Sequence, residues 1–168
     1  LLSHAFGVGI DDDTQSVPGS EQEERMDLSQ AAANALLQME KHADQRPFSY
    51  PPPSSKISID LTSIDGREKF LLDIRRGSIA MRGTFQNRVY TTEILARLDY
   101  GGQPHTNPDG GVIRGTHLHV YKEGFGDKWA ILLPCDGFHT IDTQKDLYTN
   151  FLKFCNITRI PNLIDSLL

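Results

Sequence analysis

Ile94-Leu95-Ala96-Arg97-Leu98-Asp99-Tyr100, Asn107-Pro108-Asp109-Gly110 and His117-Leu118-His119-Val120-Tyr121 are pieces of one stretch, and its reading decides the fold. The middle piece is a strong turn signal. Asn suits the first turn position, Pro presets φ at the second, and Gly accepts the left-handed conformation at the fourth. A type I turn with a glycine bulge joins two strands through a three-residue loop. Pairing Asn107 with Gly111 then sets a register in which Asp99 faces His119, Arg97 faces Tyr121, and Ala96 and Leu98 flank Val120. This register keeps both apolar sets on one face, as a half-buried sheet requires. A bulge at Gly101-Gly102 would shift it. Side chains alternate along a strand, so His117, His119 and Tyr121 are expected together on the solvated face opposite the core, joined by Arg97 and Asp99.

Outward from this hairpin the chain reads as more strands and two helices. Ile57, Ile59 and Leu61 alternate with polar residues; Asp65-Gly66 is a turn; Phe70, Leu72 and Ile74 alternate again. Residues 77–87 form a less regular strand, and 128–133 a short apolar one ended by Pro134. Helical spacing of Leu28, Ala32, Ala35, Leu36 and Met39 predicts a helix over about 28–42, with Asp27 as its cap. Asp142 or Thr143 caps a second helix at about 143–155. The expected fold class is α+β: an antiparallel sheet of five to six strands with an N-terminal and a C-terminal helix packed on one face. Pro51-Pro52-Pro53 reads as an extended spacer.

Charge divides the chain unevenly. Residues 1–25 hold six acids and one base, a net of −5, and the whole chain is also −5, so residues 26–168 are neutral. The first 25 residues are therefore expected to be a flexible acidic leader, with Met26 opening a single domain over 26–168. A neutral domain argues against duplex DNA as a partner, which normally demands a basic excess. The absence of a long apolar run argues against a membrane span. Cys135 and Cys155 are the only cysteines, too few for a disulfide-stapled secreted domain, and the expected setting is cytoplasmic.

Three chemical readings arise from the polar face. In a metal-independent phosphodiesterase acting on RNA, His117 or His119 transfers protons, Asp99 orients an imidazole, and Arg97 and Lys128 stabilise the phosphate charge. Arg75, Arg76 and Arg88 add local positive charge for binding. In a metal site, His-x-His on one strand combines with His105 and with Asp99, Asp109 or Glu123; this is the weaker signal, and no cofactor is otherwise called for. In a non-enzymatic binder, the same face covers a protein or RNA partner, with His105, Tyr121, Glu123 and Asp127 among its contacts. The binder is the leading expectation. Against all three stands a plain solvated sheet face with cross-strand pairs.

His105-Thr106-Asn107-Pro108-Asp109-Gly110, His117-Leu118-His119-Val120-Tyr121 and Glu123-Gly124-Phe125-Gly126-Asp127-Lys128-Trp129-Ala130, together with Arg97-Leu98-Asp99 and Phe70-Leu71-Leu72-Asp73, resemble an uncharacterised bacterial and prophage family of unknown function. The resemblance runs from about Met26 to Leu168. Relatives usually carry Pro before the first strand histidine, where this chain has Thr116. The resemblance implies fold and extent, and a setting in mobile elements or defence loci, but no activity.

Overall fold

The computed structural model describes residues 28–139 and 141–164; the acidic leader expected at 1–25 lies outside them. In chain order the elements are α1 (Gln30–Gln38), β1 (Lys41–Ala43), β2 (Lys56–Ser63), β3 (Lys69–Arg76), β4 (Gly83–Val89), β5 (Glu93–Tyr100), β6 (His105–Thr106), β7 (Val112–Ile113), β8 (His117–Val120), β9 (Ala130–Leu132), α2 (Gln144–Phe154) and β10 (Ile157–Arg159). Eight strands form the main sheet in the order β10-β1-β2-β3-β4-β5-β8-β9, while β6 and β7 form a separate two-stranded arm.

The class is α+β as expected, but the sheet is larger than five to six strands and is mixed. β1 and β10 pair in parallel at one edge. Helix α1 stops at Gln38 instead of about 42, because Lys41–Ala43 leaves the helix to become a strand between β10 and β2. Its N-cap is Ser29, whose hydroxyl accepts from the Ala32 amide, and its buried face is Ala33, Leu36 and Leu37. Helix α2 has a full capping box between Thr143 and Asp146 and buries Leu147, Tyr148, Phe151 and Leu152.

Both helices share one core with the apolar face of the sheet. Ile59 and Leu61 of β2, Phe70, Leu72 and Ile74 of β3, Phe85 of β4, Ala96 and Leu98 of β5, and Leu118 of β8 are each no more than 2% exposed and join the helix residues in a single cluster. Phe85 meets Tyr148 edge-on with ring centroids 5.3 Å apart. The period-two alternation thus leaves a polar face on the other side.

That polar face is organised in two rows that cross the strands. One runs Lys56, Arg75, Thr84, Asp99, His117; the next runs Ser58, Asp73, Gln86, Arg97, His119. Hydrogen bonds tie each row: Ser58 to Asp73 at 2.6 Å, and Thr84 to Asp99 at 2.9 Å.

The β5–β8 register departs from expectation by two residues. Asp99 lies opposite His117, not His119, and Arg97 lies opposite His119, not Tyr121. The turn itself is as read: Asn107 and Gly111 close it, Gly110 has φ 88°, and His105 pairs Ile113 as the expected register requires. The slip arises between arm and sheet. Gly101 turns the chain with φ 63°, where a Cβ would sit 2.0 Å from the Met81 carbonyl oxygen. A two-residue slip preserves side-chain parity, so the two histidines still share a face with Arg97 and Asp99.

Candidate functional site

Three histidines meet on the polar side of the sheet. His117 and His119 come from β8 and His105 from the arm. Ring centroids are 4.5 Å apart for His105 and His119, 5.0 Å for His117 and His119, and 5.7 Å for His105 and His117. The expectation of a solvated face is corrected here: His117 is 2% exposed and His119 fully buried. The arm and the segment running from Tyr121 to Ala130 lie over them, a cover that strand alternation alone does not reveal.

Each imidazole is anchored through one nitrogen to a main-chain carbonyl. His117 Nδ1 donates to Gly115 O at 2.7 Å, His119 Nδ1 to Asp127 O at 2.8 Å, and His105 Nε2 to Lys128 O at 2.8 Å. Those acceptors fix the tautomers, leaving His117 Nε2, His119 Nε2 and His105 Nδ1 as the nitrogens that carry the lone pairs. One ligand nitrogen from each ring falls within 4.8 Å of the others. A tetrahedral zinc site needs about 3.3 Å between ligand atoms, so shifts of roughly 1 Å per ring would close the set.

Asp99 extends the cluster. Its Oδ2 lies 3.3 Å from His119 Nε2 and 3.7 Å from His117 Nε2, separations suited to a fourth ligand. Burial pushes its carboxyl up, but the neighbouring His119 ring, the Arg97 guanidinium and the Thr84 hydroxyl outweigh this and hold it at about 2. Asp99 is therefore ionised at neutral pH. Burial pulls the His117 imidazole below its ordinary value, which favours the neutral form that a ligand needs.

Arg97 binds the acids together. Nε donates to Asp99 Oδ2 at 3.1 Å, Nη1 to Asp127 Oδ2, and Nη2 approaches His119 Nε2 at 3.0 Å. In this arrangement the guanidinium occupies the His119 lone pair. A cation at the cluster would displace that one contact and leave the two carboxylate contacts in place.

The other expected site residues divide clearly. Arg75 and Arg76 line a cavity of about 610 Å³ together with Arg82, Asp99, His105 and His117. Lys128 contributes its carbonyl to His105, while its side chain is exposed. Asp109 accepts from the Gly111 amide at the exposed arm tip, and Glu123 accepts from the Gln30 amide at the start of α1; neither reaches the histidines. Arg88 pairs with Asp73 at 2.7 Å, in the other row. Tyr121 does not join the polar face: it is 5% exposed in the apolar core and donates its hydroxyl to Leu28 O at 2.7 Å.

One residue that matters was read only as a turn former. Asn107 exchanges two hydrogen bonds with the main chain of Ala130, Nδ2 to its carbonyl at 3.0 Å and Oδ1 from its amide at 2.9 Å. This clamp docks the arm on β9 and delivers His105 to the pair on β8.

Fold and cluster together define an α+β protein whose buried polar face gathers three carbonyl-anchored imidazoles beside an ionised carboxylate. The chain belongs to DUF6978, a family of unknown function, whose model matches residues 28–157. No curated protein and no solved structure matches it. Among the described residues, no helix is long and apolar enough to cross a membrane.

Proposed function

We propose that His105, His117 and His119 bind a divalent cation of the zinc class, and that this centre carries out hydrolysis at the wall of the adjoining cavity. One observation carries the reading: all three rings spend one nitrogen on a main-chain carbonyl, and one nitrogen from each ring lies within 4.8 Å of the others. That is the outer-shell pattern of metal-ligating histidine. Three imidazole ligands would leave a fourth position for water or for Asp99. A cation held by these residues would lower the pKa of such a water and so supply a nucleophile at neutral pH. His105 and His117 both line the cavity, which gives a substrate access to that position.

A second reading draws on Arg97. Its 3.0 Å contact with His119 Nε2, and Asp99 Oδ2 at 3.3 Å from the same atom, make a metal-free acid–base pair. Neutral His119 accepts from Arg97; the protonated ring donates to Asp99. This supports the RNA phosphodiesterase that the sequence offers as the alternative to a binder. A macromolecule-binding role in a mobile-element or defence setting rests on the resemblance alone, and its contacts would be Arg75 and Arg76, since His117, His119 and Tyr121 are buried.

Hydrolysis of an activated phosphodiester and of labelled RNA, with EDTA and with added zinc, separates these readings. The metal reading expects turnover that EDTA abolishes, zinc restores and His105→Ala removes. Turnover that persists in EDTA and disappears in His119→Ala selects the acid–base pair. No turnover under any condition overturns both.

A further inference from the structure

The cavity beside the histidines carries an unbalanced charge. Arg75, Arg76 and Arg82 line it, and among the described residues Asp99 is the only carboxylate in its wall. Asp99 is already paired with Arg97 at 3.1 Å. Among the described residues, no ion pair joins any of the three cavity arginines to an acid; Arg82 Nε spends one donor on Gly101 O at 2.8 Å, and the Arg76 guanidinium lies 5.8 Å from the Tyr50 ring centroid. Arg76 follows Arg75 on β3, so its side chain takes the opposite side of the sheet, toward Tyr50; that leaves Arg75 and Arg82 lining a concave, partly enclosed space with no acid paired to either among the described residues. Low-dielectric walls focus such a field, and the planar fork of arginine matches phosphate oxygens in pairs.

Register gives the scale. Arg75, Thr84, Asp99 and His117 stand opposite one another on β3, β4, β5 and β8. Adjacent strands are about 4.8 Å apart, so the main chain of Arg75 lies about 14 Å from that of His117. Side chains reaching inward from both ends leave room for a group larger than inorganic phosphate. The volume of about 610 Å³ also suits a small organic molecule rather than a bare ion.

We infer that this cavity binds a phosphate-bearing molecule of about nucleotide size, with its phosphate on Arg75 and Arg82 and its other end against His105 and His117. The inference names the substrate class of the proposed centre and so rests on that reading for its catalytic consequence. The anion subsite itself is built from arginines that are not metal ligands. Two sources share the chemistry, a free nucleotide and the phosphorylated terminus of an RNA strand.

Calorimetric titration of the full chain, dialysed against EDTA, with adenosine monophosphate, adenosine and a short 5′-phosphorylated oligoribonucleotide tests this. Adenosine monophosphate or the oligonucleotide is expected to bind the metal-free protein, with adenosine much weaker; whichever of the two binds tighter identifies the source. Arg75→Gln, at an exposed position with no ion pair in the described structure, is expected to weaken phosphate binding about tenfold or more, the factor one charge-assisted hydrogen bond carries. Arg75→Lys is expected to retain part of it. Zinc retention and phosphate binding are read separately on the parent protein: phosphate binding without zinc retention overturns the metal reading alone, and zinc retention without phosphate binding overturns the anion subsite alone. Absence of binding by both phosphorylated probes, equal binding of adenosine, or an Arg75→Gln variant that binds like the parent overturns the inference.

Discussion

His105 and His119 stand edge to face with ring centroids 4.5 Å apart, one carried by the two-stranded arm and the other by β8 of the main sheet. Neither the arm nor the sheet holds the cluster alone. The arm reaches β8 because Gly101 turns it off the end of β5 and because Asn107 fastens it to β9.

Asn107→Ala should therefore act at a distance from the histidines. Removing both bonds to Ala130 leaves a partly buried amide and carbonyl without partners, at a cost of about 1–3 kcal/mol in urea denaturation. Zinc affinity should fall about 10- to 100-fold, the range for lost outer-shell support. Unchanged affinity would show that the arm does not need this clamp to present His105.

Two glycines should respond differently to the same replacement. Gly110 has φ 88° and open space around a Cβ, so Gly110→Val costs only its backbone strain, about 1–2 kcal/mol, and Gly110→Asn far less. Gly101 combines φ 63° with a Cβ position 2.0 Å from the Met81 carbonyl, so Gly101→Asn gains no such relief and should be the more destabilising asparagine variant. Thermal melts of the two asparagine variants compare them; equal losses would reject the steric role of Gly101.

Much of this geometry is legible in the chain. The Asn107-Pro108-Asp109-Gly110 turn and the pairing of His105 with Ile113 follow from turn chemistry, and the shared face of His117, His119, Arg97 and Asp99 follows from alternation. The slip to an Asp99–His117 pair does not, because it depends on how Gly101 packs against Met81, a contact across the sheet end. Burial of His117 and His119 was likewise hidden, since a period of two marks which side a residue takes but not what covers that side. Tyr121 kept the parity of the histidines in sequence yet turned into the core, where Leu28 O takes its hydroxyl. The paired strands Lys41–Ala43 and Ile157–Arg159 are three residues each, too short for a pattern, and lie far apart in the sequence.

Lys41 should give the fold a distinctive alkaline response. Its ammonium is fully buried and donates to the carbonyls of Leu37, Met39 and Cys155 at 2.7–2.9 Å. Burial nevertheless pulls it down to about 8, from an ordinary value of 10.5. Below pH 8 the group is charged in both states and the burial cost is fully felt. Between about 8 and 10.5 the folded form sheds the proton first, the unfolded chain binds more protons, and stability rises. Urea denaturation should show the parent gaining on Lys41→Met by on the order of 1–3 kcal/mol across that window. Parallel curves would indicate that the three carbonyls hold the ammonium charged throughout.

Metal content tests the central claim most directly. The full chain, incubated with zinc, freed of excess by gel filtration and measured by inductively coupled plasma mass spectrometry, should retain about one equivalent per chain, while His105→Ala and His119→Ala, checked as folded by circular dichroism, should retain far less. A parent protein that holds no zinc, cobalt or other divalent transition metal after this treatment, or histidine variants that hold as much as the parent, would contradict the account.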